Sequence, residues 1–108
     1  MIYELRVYHC APGRLPALNE RFVRDTLTLW DKHGIVQAGF FTTLIGPSNQ
    51  TLTYLLQWDS LAERERKWTA FSTDPDWLAK RAASEADAII VERIESSLLT
   101  PTAFSAMR

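Results

Sequence analysis

Ile35-Val36-Gln37-Ala38-Gly39-Phe40-Phe41-Thr42-Thr43-Leu44-Ile45, then Gly46-Pro47-Ser48-Asn49, then Thr51-Leu52-Thr53-Tyr54-Leu55-Leu56-Gln57-Trp58: two apolar, β-prone runs flank a cluster of turn residues. Gly and Asn tolerate left-handed backbone and Pro fixes φ, so the middle segment reads as a turn and the whole as a β-hairpin. Side chains in a strand alternate between faces. The second run therefore places Leu52, Tyr54, Leu56 and Trp58 on one face and Leu55 on the other. The first is apolar on both, with Val36, Ala38, Phe40 and Leu44 on one side and Ile35, Phe41 and Ile45 on the other.

Upstream of the hairpin, residues 14–33 carry Leu15, Leu18, Phe22, Thr26, Leu29 and His33 at helical spacing, widened by Val23, Leu27 and Trp30. That is an amphipathic helix, and Gly34 is its C-terminal stop. Before it, residues 2–9 alternate and are rich in Tyr, Val and Leu, a strand ended by Pro12-Gly13. Downstream, Ser60 and Glu63 have capping-box spacing, opening a helix that buries Leu61, Trp68 and Phe71. Asp74-Pro75 marks a second start, with Trp77, Leu78 and Arg81 following to about Asp87. Ile89-Ile90-Val91 begins a last strand that reaches about Leu99, and residues 100–108 read as a C-terminal tail. The order β-α-β-β-α-β in one domain of 108 residues predicts an α+β, ferredoxin-like fold. Its four-stranded antiparallel sheet carries the helices on one face and has the first and third strands in the middle.

An uncovered sheet face should be polar, and here it is not. Packing two sheets face to face about a two-fold axis would cover it, so a homodimer is expected.

Composition removes several classes of partner. The net charge is -1, from 12 basic and 13 acidic residues, with no basic patch to suit nucleic acid. No apolar run approaches ~18 residues, so no membrane span is expected. The single cysteine, Cys10, suits a reducing compartment, and a cytoplasmic location is expected.

The residues that bear on chemistry are few. Glu4, Arg6 and Tyr8 share one face of the first strand, where burying unpaired charge is costly. Either Glu4 and Arg6 pair with each other, or with Arg93 or Glu95 of the last strand, as a structural network, or the three line a pocket. In the second case Arg6 clamps an anion and Tyr8 donates a hydrogen bond. Which sheet face receives them depends on strand register. His33 ends the long helix, either as a dipole-stabilised side chain or as an acid–base group at the same cavity. Trp58, at the end of the third strand, is placed to wall a pocket, whereas Trp30, Trp68 and Trp77 read as core. No metal site is expected from His9 and His33, which lie on separate elements, and no cofactor is expected.

Four segments resemble the NIPSNAP family: Met1-Ile2-Tyr3-Glu4-Leu5-Arg6-Val7-Tyr8, Leu29-Trp30-Asp31-Lys32-His33-Gly34-Ile35 with Gly39-Phe40-Phe41, Tyr54 to Glu65 with Trp68 and Asp74-Pro75-Asp76-Trp77, and Ile94 to Pro101 with Phe104-Ser105. The resemblance covers nearly the whole chain, residues 1–108, in the right order. It implies a ferredoxin-like protomer of the dimeric α/β-barrel superfamily, whose ligands commonly lie between helices and sheet. That superfamily includes cofactor-free monooxygenases, haem-binding enzymes and lactone isomerases, but this chain matches none of their catalytic residues. The expectations for function are a cofactor-independent enzyme acting on a small, largely apolar molecule, aromatic or lactone-like; a small-molecule binding module without catalysis; or a structural dimer.

Overall fold

The computed structural model describes all of residues 1–108. The strands are β1 (Ile2–Cys10), β2 (Val36–Thr42), β3 (Thr51–Trp58) and β4 (Val91–Leu99), and the helices are α1 (Leu15–Arg21), α2 (Leu27–His33), α3 (Leu61–Ser72) and α4 (Pro75–Ser84). A π-helical turn, Phe22–Thr26, joins α1 to α2. The sheet is antiparallel in the order β2-β3-β1-β4, so β1 and β3 are central as the α+β, ferredoxin-like reading requires. No helix is long and apolar enough to cross a membrane.

Each boundary has a local cause. Gly34 ends α2 in the left-handed conformation at φ 71°, a region that costs other residues a Cβ clash. The Ser60 hydroxyl accepts from the Glu63 backbone N–H at 3.1 Å, and the Asp74 carboxylate from that of Asp76 at 2.9 Å, so both downstream helices start on side-chain caps.

Two expectations about faces fail for one reason, an extra residue. The pairing of β2 with β3 shifts between Gln37 and Gly39, so Val36 lies opposite Gln57 while Phe40 lies opposite Tyr54. A bulge inverts the alternation beyond it. Val36 therefore belongs to the bare face and Phe40 to the helix face, not to one face together. The strand also stops at Thr42, which leaves Leu44 and Ile45 in solvent. In the long helix, the Leu27 N–H bonds to the Phe22 carbonyl, one residue further back than in an α-helix. That turn rotates Val23 out of the predicted stripe, and it is 76% exposed. Leu61, also expected inside, faces solvent.

The core lies between the sheet and the helices. Phe22 and Trp30 pack their rings 5.6 and 5.5 Å from that of Tyr54, and Phe40 stacks on Tyr54 at 4.8 Å. Leu18, Leu29, Leu52, Leu56, Trp58 and Phe71 complete it.

Candidate functional site

The register decides where the polar strand face points. On β1, Glu4 lies opposite Leu56, Arg6 opposite Tyr54 and Tyr8 opposite Leu52. Those β3 residues face the helices, so Glu4, Arg6 and Tyr8 are inside, between sheet and helices.

Glu4 is fully buried, and hydrogen bonds surround it. Its Oε1 accepts from Arg64 Nε at 2.7 Å and from the Trp58 indole at 3.1 Å. Its Oε2 accepts from Arg64 Nη2 and Arg6 Nη1, each at 3.0 Å, and from the Ser96 hydroxyl at 2.6 Å. Burial alone would raise the carboxyl's pKa. The hydrogen bonds from Arg64, Ser96 and Arg6 outweigh that and hold it at about 2. A carboxylate so satisfied is a structural anion and a poor proton acceptor. The partners come from Ser96 on β4 and Arg64 on α3, not from Arg93 or Glu95. Glu95 instead accepts from His9 at 3.2 Å on the bare face.

Arg6 spends its remaining donors on two phenols. Its Nε donates to Tyr54 Oη at 2.8 Å and its Nη2 to Tyr8 Oη at 3.3 Å. Burial works against its charge, but the Tyr8 and Tyr54 oxygens favour it and keep the guanidinium ionised. Its plane lies over the Trp68 ring at 4.5 Å.

The two phenols are 3.0 Å apart. Tyr54 has no solvent exposure, and Tyr8 Oη is the acceptor within its reach. A buried hydroxyl without an acceptor costs about 1–3 kcal/mol, so Tyr54 donates to Tyr8. Burial and the neighbouring Tyr8 push the Tyr54 pKa well up against the pull of Arg6, which keeps that phenol protonated. Tyr8 Oη thus accepts from both Arg6 and Tyr54, and its own proton has no protein acceptor.

Arg6 and Tyr8 lie on the wall of a cavity of about 420 Å³ between β1 and β4 on one side and α3 and α4 on the other. Trp68, Phe71 and Trp77 form its aromatic wall, with Arg21 at the π-turn side.

The other candidates sit elsewhere. His33 Nε2 is 2.7 Å from Asp74 Oδ2, which also accepts from Lys32 at 2.8 Å. Hydrogen bonds from Lys32, His33 and the Asp76 N–H hold the Asp74 carboxyl well below the usual range. His33 therefore clasps the α2 end to the α3–α4 corner and is absent from the cavity wall. Trp58 is sealed behind Glu4 and is likewise absent from it, whereas Trp68 and Trp77, expected in the core, line it. Cys10 is buried, and burial pushes its thiol up, so it is a poor nucleophile.

The sequence reasoning missed Tyr54, Arg64, Ser96 and Arg21. Tyr54 was visible as a phenol on the buried face of β3. Arg21, three residues after Leu18 and next to Phe22, was a charge on an apolar helix face. Arg64 and Ser96 meet Glu4 through docking across 60 and 92 residues of chain, which no local pattern signals.

The NIPSNAP family model matches residues 3–106. Among solved structures, a NIPSNAP family protein with unknown function from Agrobacterium tumefaciens is 26% identical, with a TM-score of 0.86, covering 100% of this chain and 94% of that one. An uncharacterized NIPSNAP-like domain protein from Burkholderia xenovorans is 24% identical at a TM-score of 0.84, covering 96% of this chain and 87% of that one. A protein from Nitrosomonas europaea assigned to antibiotic biosynthesis monooxygenases shares the fold alone, at 9% identity and a TM-score of 0.63 over 94% of this chain and 98% of that one. No curated protein matches. With the family match spanning nearly its whole length, the chain belongs to the NIPSNAP family.

Proposed function

We propose that the cavity binds a small molecule with an apolar, aromatic body and an oxygen acceptor, held by the Tyr8 hydroxyl. One observation carries this reading: Arg6 and Tyr54 both donate to Tyr8 Oη, its own proton has no protein acceptor, and Tyr8 lies on the wall of a cavity lined by Trp68, Phe71 and Trp77. Two donors on one oxygen polarise its O–H and strengthen what it donates. The wall supplies the flat apolar contact.

Titration of the fluorescence of Trp68 and Trp77 with 4-acetylbenzamide, an aromatic ketone, tests it. Saturable binding is expected, weakened about tenfold in Tyr8→Phe by loss of one hydrogen bond. Equal affinity in the variant, or no saturation, contradicts the reading.

A second reading, cofactor-independent catalysis, rests on the same hydroxyl. A polarised donor preorganised at a ketone oxygen stabilises the enolate formed when an α-proton leaves. Glu92, on the cavity wall and without an ion-pair partner, is the carboxylate able to take that proton. Glu4 and His33 do not serve, being engaged elsewhere. Exchange of the acetyl methyl protons in deuterated water, lost in Tyr8→Phe, is the expected signature. Exchange at the solvent rate leaves binding without catalysis.

The chain acts as a homodimer in this account. Leu5, Val7 and Leu55 lie on the sheet face away from the helices, with Val36 and Phe41 there 50% and 57% exposed. Native mass spectrometry should give twice 12.4 kDa, and a monomer at micromolar concentration would contradict it.

A further inference from the structure

A second guanidinium borders the same cavity and is only partly used. Arg21 has a side chain 4% exposed, and its Nη1 donates to Glu85 Oε1 at 3.0 Å and to Ser84 Oγ at 3.2 Å. Its Nε is shut off from water and has no acceptor. Its Nη2 makes no hydrogen bond either, yet is not sealed in the same way, and the space Arg21 borders is the cavity. The Nε and Nη2 hydrogens point along one edge of a guanidinium, the edge that grips a carboxylate with two parallel bonds. Arg64 uses that edge on Glu4 at 2.7 and 3.0 Å. On Arg21 the same edge has no acceptor.

The surroundings favour an anion there. The wall carries Arg6, Arg21 and Arg81 against Glu85 and Glu92, an excess of positive charge. The Arg21 guanidinium lies 5.5 Å above the Trp77 ring, which leads through Phe71, at 4.8 Å, to Trp68, at 5.3 Å, and so to Arg6. The other buried orphan donor, Trp30 Nε1, sits among core rings away from the cavity and suggests no ligand.

We infer that Arg21 is the carboxylate anchor of the cavity and that its ligand is a small aromatic oxo acid. The carboxylate accepts from Arg21 Nη2, the nitrogen of that edge that is not sealed, the ring lies along the Trp77–Phe71–Trp68 wall, and the oxo group accepts from Tyr8. The inference rests on the Tyr8 reading and adds to it the ligand's charge and the place of its second end.

Three acids of increasing length test it by tryptophan fluorescence on the full chain: 4-acetylbenzoate, 4-acetylphenylacetate and 4-acetylcinnamate, each against its primary amide. At least one acid should bind about tenfold or more tightly than its amide, with the advantage shrinking as salt rises. Glu85→Gln should widen that advantage. The double variant Arg21→Gln with Glu85→Gln keeps the wall's net charge and should close it. Arg21→Lys, which keeps a charge but has no nitrogen in the place of Nη2, should lose most of it and decides the matter if the double variant does not fold. Equal affinities in all three pairs, or an advantage that survives both variants, overturn the inference. If the amides bind through Tyr8 and the acids gain nothing, Arg21 is wrong and the Tyr8 reading stands. If neither series binds, both fail.

Discussion

Arg64 and Arg21 each bring a guanidinium into the space between sheet and helices, and they differ in one edge. Arg64 closes its Nε–Nη2 edge on a buried carboxylate, with Glu4 already bonded to Arg6, Ser96 and Trp58. Arg21 holds Glu85 and Ser84 through Nη1 and leaves that edge without an acceptor. The contrast shows how a structural charge and a binding charge are told apart in one small protein. Both are paired, and the structural one is the more exposed, at 26% against 4% for the Arg21 side chain, so burial and pairing do not single out the binding charge. Counting donors against acceptors does.

The largest effect expected from this contrast is on Glu4. Glu4→Gln removes the charge that Arg6 and Arg64 share and should destabilise the fold by about 3–5 kcal/mol in denaturant unfolding. A loss below about 1 kcal/mol would mean that the network is not what holds β1 to α3.

The pH dependence follows with its sign fixed. Glu4 has a folded-state pKa of about 2 against an ordinary 4.5, so the folded state binds that proton more weakly than the unfolded chain. Its stabilisation is complete above the ordinary value and is lost as pH falls through the folded one. Between pH 5 and pH 2 the wild type should lose about 3 kcal/mol more than Glu4→Gln. Parallel curves for the two would refute the assignment.

Tyr54→Phe removes the donor and acceptor between Arg6 and Tyr8. A cost of about 1–2 kcal/mol is expected in thermal or denaturant unfolding, together with weaker binding of 4-acetylbenzamide. On the open side of the comparison, Arg21→Gln with Glu85→Gln should change stability by no more than about 1 kcal/mol, since the pair it removes is incompletely satisfied. A loss as large as that of Glu4→Gln would put Arg21 in the structural class with Arg64.

The smallest effect tests the helix that carries Arg21. Val23→Ala should shift stability by no more than about 0.5 kcal/mol, because the π-turn leaves Val23 in solvent. An uninterrupted helix with Val23 on its buried stripe would lose markedly more.

These same places mark where sequence reading succeeds and stops. The fold was legible because its signals are local: alternation on β1 and β3, Gly34 at a helix stop, side-chain caps at Ser60 and Asp74. Face assignments failed where one extra residue enters a regular element, at the bulge near Ala38 and at the π-turn after Arg21. Neither insertion has a composition signal, since each is settled by packing against another element. Glu4, Arg6 and Tyr8 were legible as a group for the same reason as the strand. Their roles were not, because the partners that distinguish a saturated carboxylate from a free hydroxyl come from α3, β3 and β4. His33 reads identically in sequence whether it meets a cavity or Asp74, and only the docking of the α3–α4 corner decides between them.

The most direct test of the account is a crystal structure with the tightest-binding of the acetyl probes at saturating concentration. The account predicts the acetyl oxygen within about 3.2 Å of Tyr8 Oη, the ring along Trp68 and Trp77, and all five hydrogen bonds to Glu4 unchanged. A probe bound on the bare sheet face, or a Tyr8 hydroxyl donating to a protein acceptor while the cavity holds no probe, would contradict it.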